Sequence, residues 1–141
     1  GEFVFPMLDP GRTYTLHFLK DNNHLNGVST QDVIRIQRQI LGIENLSTGY
    51  KQFAADVNVS GGVSTLDVIH IRRLILTIAD RFPDITSWQF FPANHSFSDP
   101  TRPFSELIPN QVEVGPFFQN ATVPITGVKS GDVNESANPA N

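Results

Sequence analysis

Apolar residues recur at helical spacing in two stretches of the chain, each directly after a polar, glycine-containing loop. The second stretch has a stripe of Val68, Ile71 and Ile75, widened by Ile69 and Leu76. The first has a stripe of Val33, Ile36 and Ile40, flanked by Ile34 and Leu41. This spacing predicts two amphipathic helices. Ser29 and Ser64, each followed three residues later by an aspartate, are typical of capping boxes, and Gly42 is a stop signal for the first helix.

The two stretches belong to one sequence repeat. Residues 21–42 align with residues 56–77 at a shift of 35 residues, and 13 of 22 positions are identical. Such self-similarity indicates one supersecondary unit that is used twice. We therefore expect two loop–helix units.

Strand patterns flank the repeats. Residues 3–5 and 14–18 surround Asp9-Pro10-Gly11, a turn sequence that predicts an N-terminal hairpin. After residue 80, short apolar runs between prolines predict strands at 88–91, 112–114, 117–118 and 123–128. The predicted fold is mainly α with β flanks. Its segments are the hairpin (1–20), the repeat pair (21–80) and a β and loop extension packed on the repeats (81–141).

Composition narrows the functional classes. The chain has 141 residues, no cysteine, and 14 acidic against 10 basic residues. Thiol chemistry is excluded, and the acidic balance without any basic run argues against nucleic acid as the main partner. No apolar stretch reaches the roughly 18 to 20 residues of a membrane span, so we expect no membrane insertion. Because the common catalytic motifs are also missing, we expect a non-enzymatic protein.

The loop of the second repeat fits a calcium site, which needs oxygen ligands at alternating positions. Positions 1, 3, 5, 7, 9 and 12 are Asp56, Asn58, Ser60, Gly62, Ser64 and Asp67. Gly62 would use its carbonyl and Ser64 would act through water, while Gly61 at position 6 allows the sharp turn. Serine at position 5 and aspartate instead of glutamate at position 12 lower the ligand charge, and so the expected affinity.

The loop of the first repeat is a poorer match. The same positions hold Asp21, Asn23, Leu25, Gly27, Ser29 and Asp32. Leu25 offers only its backbone, and Asn26 replaces the glycine of position 6. We expect two Ca²⁺ ions, the better supported one in the second loop. The alternative is that both loops are Asx-rich turns that only cap helices.

Taken together, these motifs resemble the dockerin type I family. The resemblance covers roughly residues 20–78 and consists of Asp-Val-Asn at 56–58, Gly-Val-Ser-Thr at 27–30 and 62–65, the closing Asp32 and Asp67, and helix ends at 39–42 and 74–77. It implies a calcium-dependent extracellular module that docks onto a cohesin-type domain. It further implies that the two units are antiparallel F-hand repeats. Modules of this kind often join polysaccharide-degrading enzymes to a scaffold or to a cell surface, and this one would lie beside other domains of a larger secreted protein.

The resemblance also implies where the partner binds. In that family, loop positions 10 and 11 and basic residues on the outer helix face carry recognition. Here these are Thr30, Gln31 and Arg38, and Thr65, Leu66 and Arg73. Leu74 also falls on the outward side of the predicted stripe, which makes the second copy the more apolar surface. The alternative for both arginines is a solvated helix face.

Two other functions stay open. One is a calcium-stabilised spacer that contacts only neighbouring domains, and the other is a carbohydrate-binding module that uses Trp88, Phe90 and Phe91. Residues 131–134, with Ser136, repeat the opening of a dockerin loop. Because neither a glycine nor a closing acid follows them, we expect this segment to form a turn against the helices.

Overall fold

The computed structural model describes residues 3–93, 95–109 and 111–141. The elements, in chain order, are β1 (Tyr14–His17), α1 (Thr30–Ile40), α2 (Gly49–Ala55), α3 (Thr65–Ile75), β2 (Trp88–Pro92), a 3-10 turn (Pro103–Ser105), β3 (Gln111–Val114) and β4 (Ile125–Lys129). Among these described helices, none is long and apolar enough to cross a membrane.

The two repeat helices begin as predicted. Ser29 is the N-cap of α1 and Ser64 is the N-cap of α3, and both form a complete capping box with the aspartate three residues later. Gly42 follows the end of α1 with φ +67°, a left-handed conformation that glycine adopts without steric cost. Thr77, at the same place after α3, has φ +54°. The predictions of both helix starts and of the Gly42 stop are confirmed.

The prediction of a mainly α fold is wrong. Three helices and the 3-10 turn hold 23% of the chain, beside four strands in two two-stranded sheets. The repeats are also joined by α2, which the sequence pattern does not reveal because its seven residues cover only about two turns. Tertiary packing stabilises this short helix, since Ala54 and Ala55 lie in the core.

The predicted N-terminal hairpin is not formed. β1 pairs antiparallel with β3, with Tyr14 opposite Val114 and Leu16 opposite Val112, and residues 3–5 form no strand. The half-buried face of β1 thereby meets an equally apolar face that lies far away in sequence. β2 pairs antiparallel with β4. The strands predicted at 88–91 and 112–114 are confirmed, residues 117–118 form none, and the last strand begins only at Ile125.

One apolar core connects the repeats with the segments after them. Val33 and Ile36 of α1 and Val68 and Ile71 of α3 share a cluster with residues of β2, β4 and the connecting loops. The loop and strand members include Val57, Phe82, Phe91, Val128 and Val133. The flanking segments therefore help to bury the helices that carry the loops.

The outward assignment of Leu74 is also wrong. Its side chain is only 2% exposed and lies in the core, whereas Ile69, predicted to widen the buried stripe, is 51% exposed. At the matching position of α1, Gln39 accepts a 2.6 Å hydrogen bond from the backbone N–H of Leu46. The buried stripe is thus rotated toward positions 39 and 74, because neighbouring elements cover that side of both helices.

Candidate metal centre

The second loop lies between α2 and α3 and holds two buried carboxylates. Asp56 is the C-cap of α2 and Asp67 lies in the first turn of α3. Their exposed fractions are 4% and 0%. The helix ends thus bring two negative charges into the protein interior at the two ends of one twelve-residue loop.

Backbone hydrogen bonds wind the loop around Asp56. Its Oδ1 accepts from the N–H of Ser60 and its Oδ2 from the N–H of Gly61, both at 2.9 Å. Val59 has φ +55° and Gly61 has φ +80°, so the chain turns sharply at positions 4 and 6. The turn keeps the side chains of alternate residues on the inner side of the loop.

Asp67 closes the loop from the other end. Its Oδ2 accepts from the backbone N–H and the hydroxyl of Ser64, at 2.8 and 2.9 Å, which is the capping interaction. Its Oδ1 accepts from the backbone N–H of Asn58 at 3.2 Å. Positions 3 and 12 are therefore held together although nine residues separate them.

The hydroxyl of Ser60 lies close to two other oxygen atoms inside the loop. Ser60 Oγ lies 3.1 Å from the carbonyl oxygen of Gly62 and 3.4 Å from Asp56 Oδ1. The amide oxygen of Asn58 accepts at 3.0 Å from the backbone N–H of Ser60, which also donates to Asp56. Oxygens about 2.4 Å from one Ca²⁺ and about 72° to 90° apart are separated by roughly 2.8 to 3.4 Å. The two oxygen–oxygen separations at Ser60, 3.1 and 3.4 Å, lie in that range.

The donor set consists of oxygens alone. In the described part of the chain, no three His, Cys, Asp or Glu side chains form a metal-binding group. Loop two instead combines two aspartates with an amide, a hydroxyl and a backbone carbonyl. This mixture is typical of calcium loops and unlike the nitrogen and sulfur ligands of zinc.

The first half of the first loop has a different arrangement. Asp21 Oδ1 accepts a 2.9 Å hydrogen bond from the backbone N–H of Ser87, which lowers the pKa of Asp21. The same oxygen lies 2.8 Å from Nε2 of His24, whose pKa is lowered by burial. Buried Lys129 donates to the carbonyl oxygen of His24 at 2.7 Å, and burial lowers the pKa of Lys129 to about 8. Asp21 therefore belongs to a network with residues that follow the repeats.

The other early residues of this loop also point elsewhere. Asn23 and Leu25 are exposed. The amide of Asn26 exchanges two hydrogen bonds with the backbone of Asn138, at 2.7 and 3.1 Å. The described contacts thus do not bring Asp21, Asn23 or Leu25 to Asp32, the closing acid of the loop.

Asp32 instead contacts a distant segment. Its Oδ2 accepts from the N–H and hydroxyl of Ser29, both at 2.8 Å, while its Oδ1 accepts from the N–H groups of Val133 and Asn134 at 3.0 and 3.1 Å. From the sequence, residues 131–134 with Ser136 were expected only to form a turn against the helices, because neither a glycine nor a closing acid follows them. The available signal was Asp-Val-Asn at 132–134, identical to residues 56–58.

The outer faces of α1 and α3 are exposed in equivalent ways. Of the residues proposed for partner binding, those at the helix starts and the two arginines are solvent-exposed: Thr30, Gln31, Arg38, Thr65, Leu66 and Arg73. Arg38 forms a 3.0 Å ion pair with Glu44. Arg73 makes no ion pair with any described residue. The second repeat has Ala79 at the position equivalent to Glu44, so the acidic partner is missing there.

The aromatic side chains proposed for carbohydrate binding do not form an exposed platform. Trp88 and Phe91 are 8% and 6% exposed, and Phe90 packs near Phe18 with ring centroids 5.8 Å apart. Stacking on sugar rings requires accessible aromatic faces. These residues contribute to packing between the strands and the helices.

Comparison of the chain with protein-family models, characterised proteins and solved structures finds no match.

Proposed function

We propose that this chain is a non-catalytic, calcium-dependent protein-interaction module of the dockerin type. The observation that supports it best is the second loop, where the hydroxyl of position 5 lies close to oxygens of positions 1 and 7 and the carboxylate of position 12 accepts from the backbone N–H of position 3. Loop two supplies two buried negative charges, which match the charge of one divalent cation. A buried carboxylate pair without a counter-charge is costly, and Ca²⁺ removes that cost.

Calcium suits these ligands better than magnesium. Ca²⁺ accepts six to eight oxygens in flexible geometry, whereas Mg²⁺ demands near-ideal octahedral geometry and retains several of its waters. Loop two offers five oxygen-bearing protein groups plus Ser64 through water. With only two charged ligands, the affinity falls toward that of extracellular calcium modules, about 10⁻⁴ to 10⁻³ M, which fits a secreted or cell-surface setting.

The proposed docking surface is the exposed face that the two repeats present in duplicate. Large aliphatic residues recur there at equivalent positions, at 34 and 69, 41 and 76, and 43 and 78, and each is more than half exposed. Exposed apolar side chains in this arrangement favour a protein partner. The partner to which we assign this face is a cohesin-type domain, and the second copy is the stronger surface because Leu66 is apolar where the first copy has Gln31.

The test measures binding to a panel of purified cohesin-type domains by calorimetry, in CaCl₂ and in excess EDTA. We expect binding to at least one domain in CaCl₂ and none in EDTA. Arg73→Glu combined with Leu66→Asp should weaken it at least tenfold, because both changes fall on the proposed face. The matched control is Arg12→Glu with Leu107→Asp, two exposed sites outside the repeats, which should bind unchanged.

If the control variant and the face variant lose equal affinity, the docking face is wrong. If the chain binds Ca²⁺ but no cohesin-type domain, the spacer function becomes the better explanation. Calcium would then stabilise a domain that only separates its neighbours in the parent protein.

A further inference from the structure

Residues 132–136 reproduce the opening of loop two, residues 56–60, in conformation as well as in sequence. Asp132 and Asp56 are each 4% exposed, and the valines that follow them are both fully buried. The fourth residue of each segment has positive φ, +63° at Glu135 and +55° at Val59. Sequence identity at four of the first five positions thus coincides with the same backbone path.

Two backbone hydrogen bonds to the first aspartate occur in both segments. Asp132 Oδ1 accepts from the N–H of Ser136 at 3.3 Å and Asp132 Oδ2 from the N–H of Ala137 at 2.7 Å. In loop two, Asp56 receives the same bonds from Ser60 and Gly61. The distant segment therefore has the local structure of calcium-loop positions 1 to 5, whereas at position 6 Gly61 has a positive φ and Ala137 does not.

The second half of the loop comes from the first repeat. The N–H of Asn134 donates to Asp32 Oδ1 at 3.1 Å, as Asn58 does to Asp67. Ser136 Oγ donates to the carbonyl oxygen of Gly27 at 3.0 Å, as Ser60 does to Gly62. Positions 7 to 12 of this composite loop are thus residues 27–32, which lie about 100 residues earlier in the sequence.

Further contacts hold the two halves in register. The backbone of Ala137 lies so close to Gly27 that a Cβ atom there would meet the Ala137 Cα at 2.5 Å. Asn26 binds Asn138 through its amide, and the N–H of Gly131 donates to the carbonyl oxygen of Ala54 at 2.7 Å. The composite loop is therefore anchored on both sides of residues 132–137.

Two observations point to a cation at this place. The Oδ1 atom of Asn134, at position 3, is buried and accepts no hydrogen bond from the described residues. Asp32 and Asp132 are buried at 0% and 4% exposure, and neither forms an ion pair with a described residue. Lys129 donates to the carbonyl oxygens of His24 and Ser130, and the nearby charge of Asp132 opposes the lowering of the Lys129 pKa by burial. An orphan buried oxygen and two buried carboxylates together favour a bound divalent cation.

We propose that the first repeat binds its Ca²⁺ through a divided loop. Its oxygen ligands are Asp132, Asn134, Ser136, Gly27, Asp32 and, through water, Ser29. The ligands then do not include Asp21, Asn23 or Leu25. The ion links two segments of the chain, of which one precedes α2, α3 and β2 in the sequence and the other follows them. This inference rests on the proposed calcium binding but is independent of the proposed partner.

The experiment titrates CaCl₂ into the chelator-treated full chain by calorimetry and counts ions per chain. We expect two ions for the unaltered chain, one for Asp132→Asn and one for Asp56→Asn, because each substitution removes a charged ligand from a different site. Asp21→Asn is the matched control and should keep two. Ion binding at the intact second site reports that the Asp132→Asn chain is folded.

A milder variant makes the test independent of folding. Ser136→Ala removes one neutral ligand from an exposed residue, and in the Asp56→Asn background it should weaken the remaining ion about five- to tenfold. Loss of one ion in Asp21→Asn with two ions retained in Asp132→Asn would overturn the divided loop in favour of a continuous one. A single ion in the unaltered chain, lost only with Asp56→Asn, would overturn it while leaving calcium binding in place. No ion at all would refute the calcium function itself.

Discussion

Removing Ca²⁺ from the full chain should lower its melting temperature in two additive steps, one for each loop. The perturbation is excess EDTA, compared with CaCl₂ at about one hundred times the dissociation constant found by titration. A cation that binds only the folded chain stabilises it by about 2.7 kcal/mol per site at that concentration. The structure has two sets of loop oxygens with matching hydrogen bonds, so the expected total is about 5.4 kcal/mol.

The melting shift follows from chain length. Unfolding entropy of about 2.1 cal/mol/K per residue over 141 residues makes 1 kcal/mol worth roughly 3.4 °C. Each site should therefore contribute about 9 °C, and the unaltered chain should lose about 18 °C in EDTA. Differential scanning calorimetry or circular dichroism measures this shift directly.

Site variants separate the two steps. Asp56→Asn and Asp132→Asn should each leave an EDTA shift of about 9 °C, and the double variant should show almost none. Asp80→Asn, at a carboxylate with a 90% exposed side chain, is the control and should keep the full shift. The reasoning fails if the double variant responds to EDTA as strongly as the unaltered chain, since Ca²⁺ would then bind elsewhere.

Two further predictions concern glycines at equivalent positions of the two repeats, and a leucine that the sequence pattern places on the outer helix face but that is buried. Gly27→Ala should lower the free energy of unfolding in urea by about 2 to 4 kcal/mol, because φ is +76° and the new Cβ would collide with the Ala137 backbone. Gly62→Ala is the control, since nothing lies near its Cβ position, and it should cost less than about 1 kcal/mol. Equal losses in the two variants would contradict the divided loop. Leu74→Ala should cost about 2 to 5 kcal/mol with unchanged partner affinity, and Leu66→Ala, at a 49% exposed residue, under about 1 kcal/mol. A stability loss below about 1 kcal/mol for Leu74→Ala would show that its burial is wrong.

The helices could be predicted because their signals are local. Ser29 with Asp32, and Ser64 with Asp67, form capping boxes within four residues, and the left-handed stop at Gly42 needs only its own backbone. Local hydrogen bonds depend little on the rest of the chain. The arrangement of Asp56, Ser60 and Gly61 was accessible from the sequence for the same reason.

The strand partners and the buried side of α3 could not be predicted in this way. A turn sequence at Asp9-Pro10-Gly11 favours a hairpin, but β1 gains more apolar pairing from β3. Leu74 faces neighbouring elements that a single helical projection does not contain. In both cases the deciding contact comes from a segment whose position depends on the whole fold.

By itself, the sequence predicted loops of the calcium-binding kind, since the spacing of aspartate, asparagine and serine sets which oxygens turn inward. Only the tertiary structure decided which segment lies against the second half of the first loop, residues 27–32. Asp32 follows Asp21 at the same distance in sequence as Asp67 follows Asp56. The carboxylate of Asp32 nevertheless accepts hydrogen bonds from the N–H groups of Val133 and Asn134. The physical reason is that hydrogen-bond donors reach a carboxylate through space, and the core around Val133 and Phe82 holds that distant segment against the first repeat.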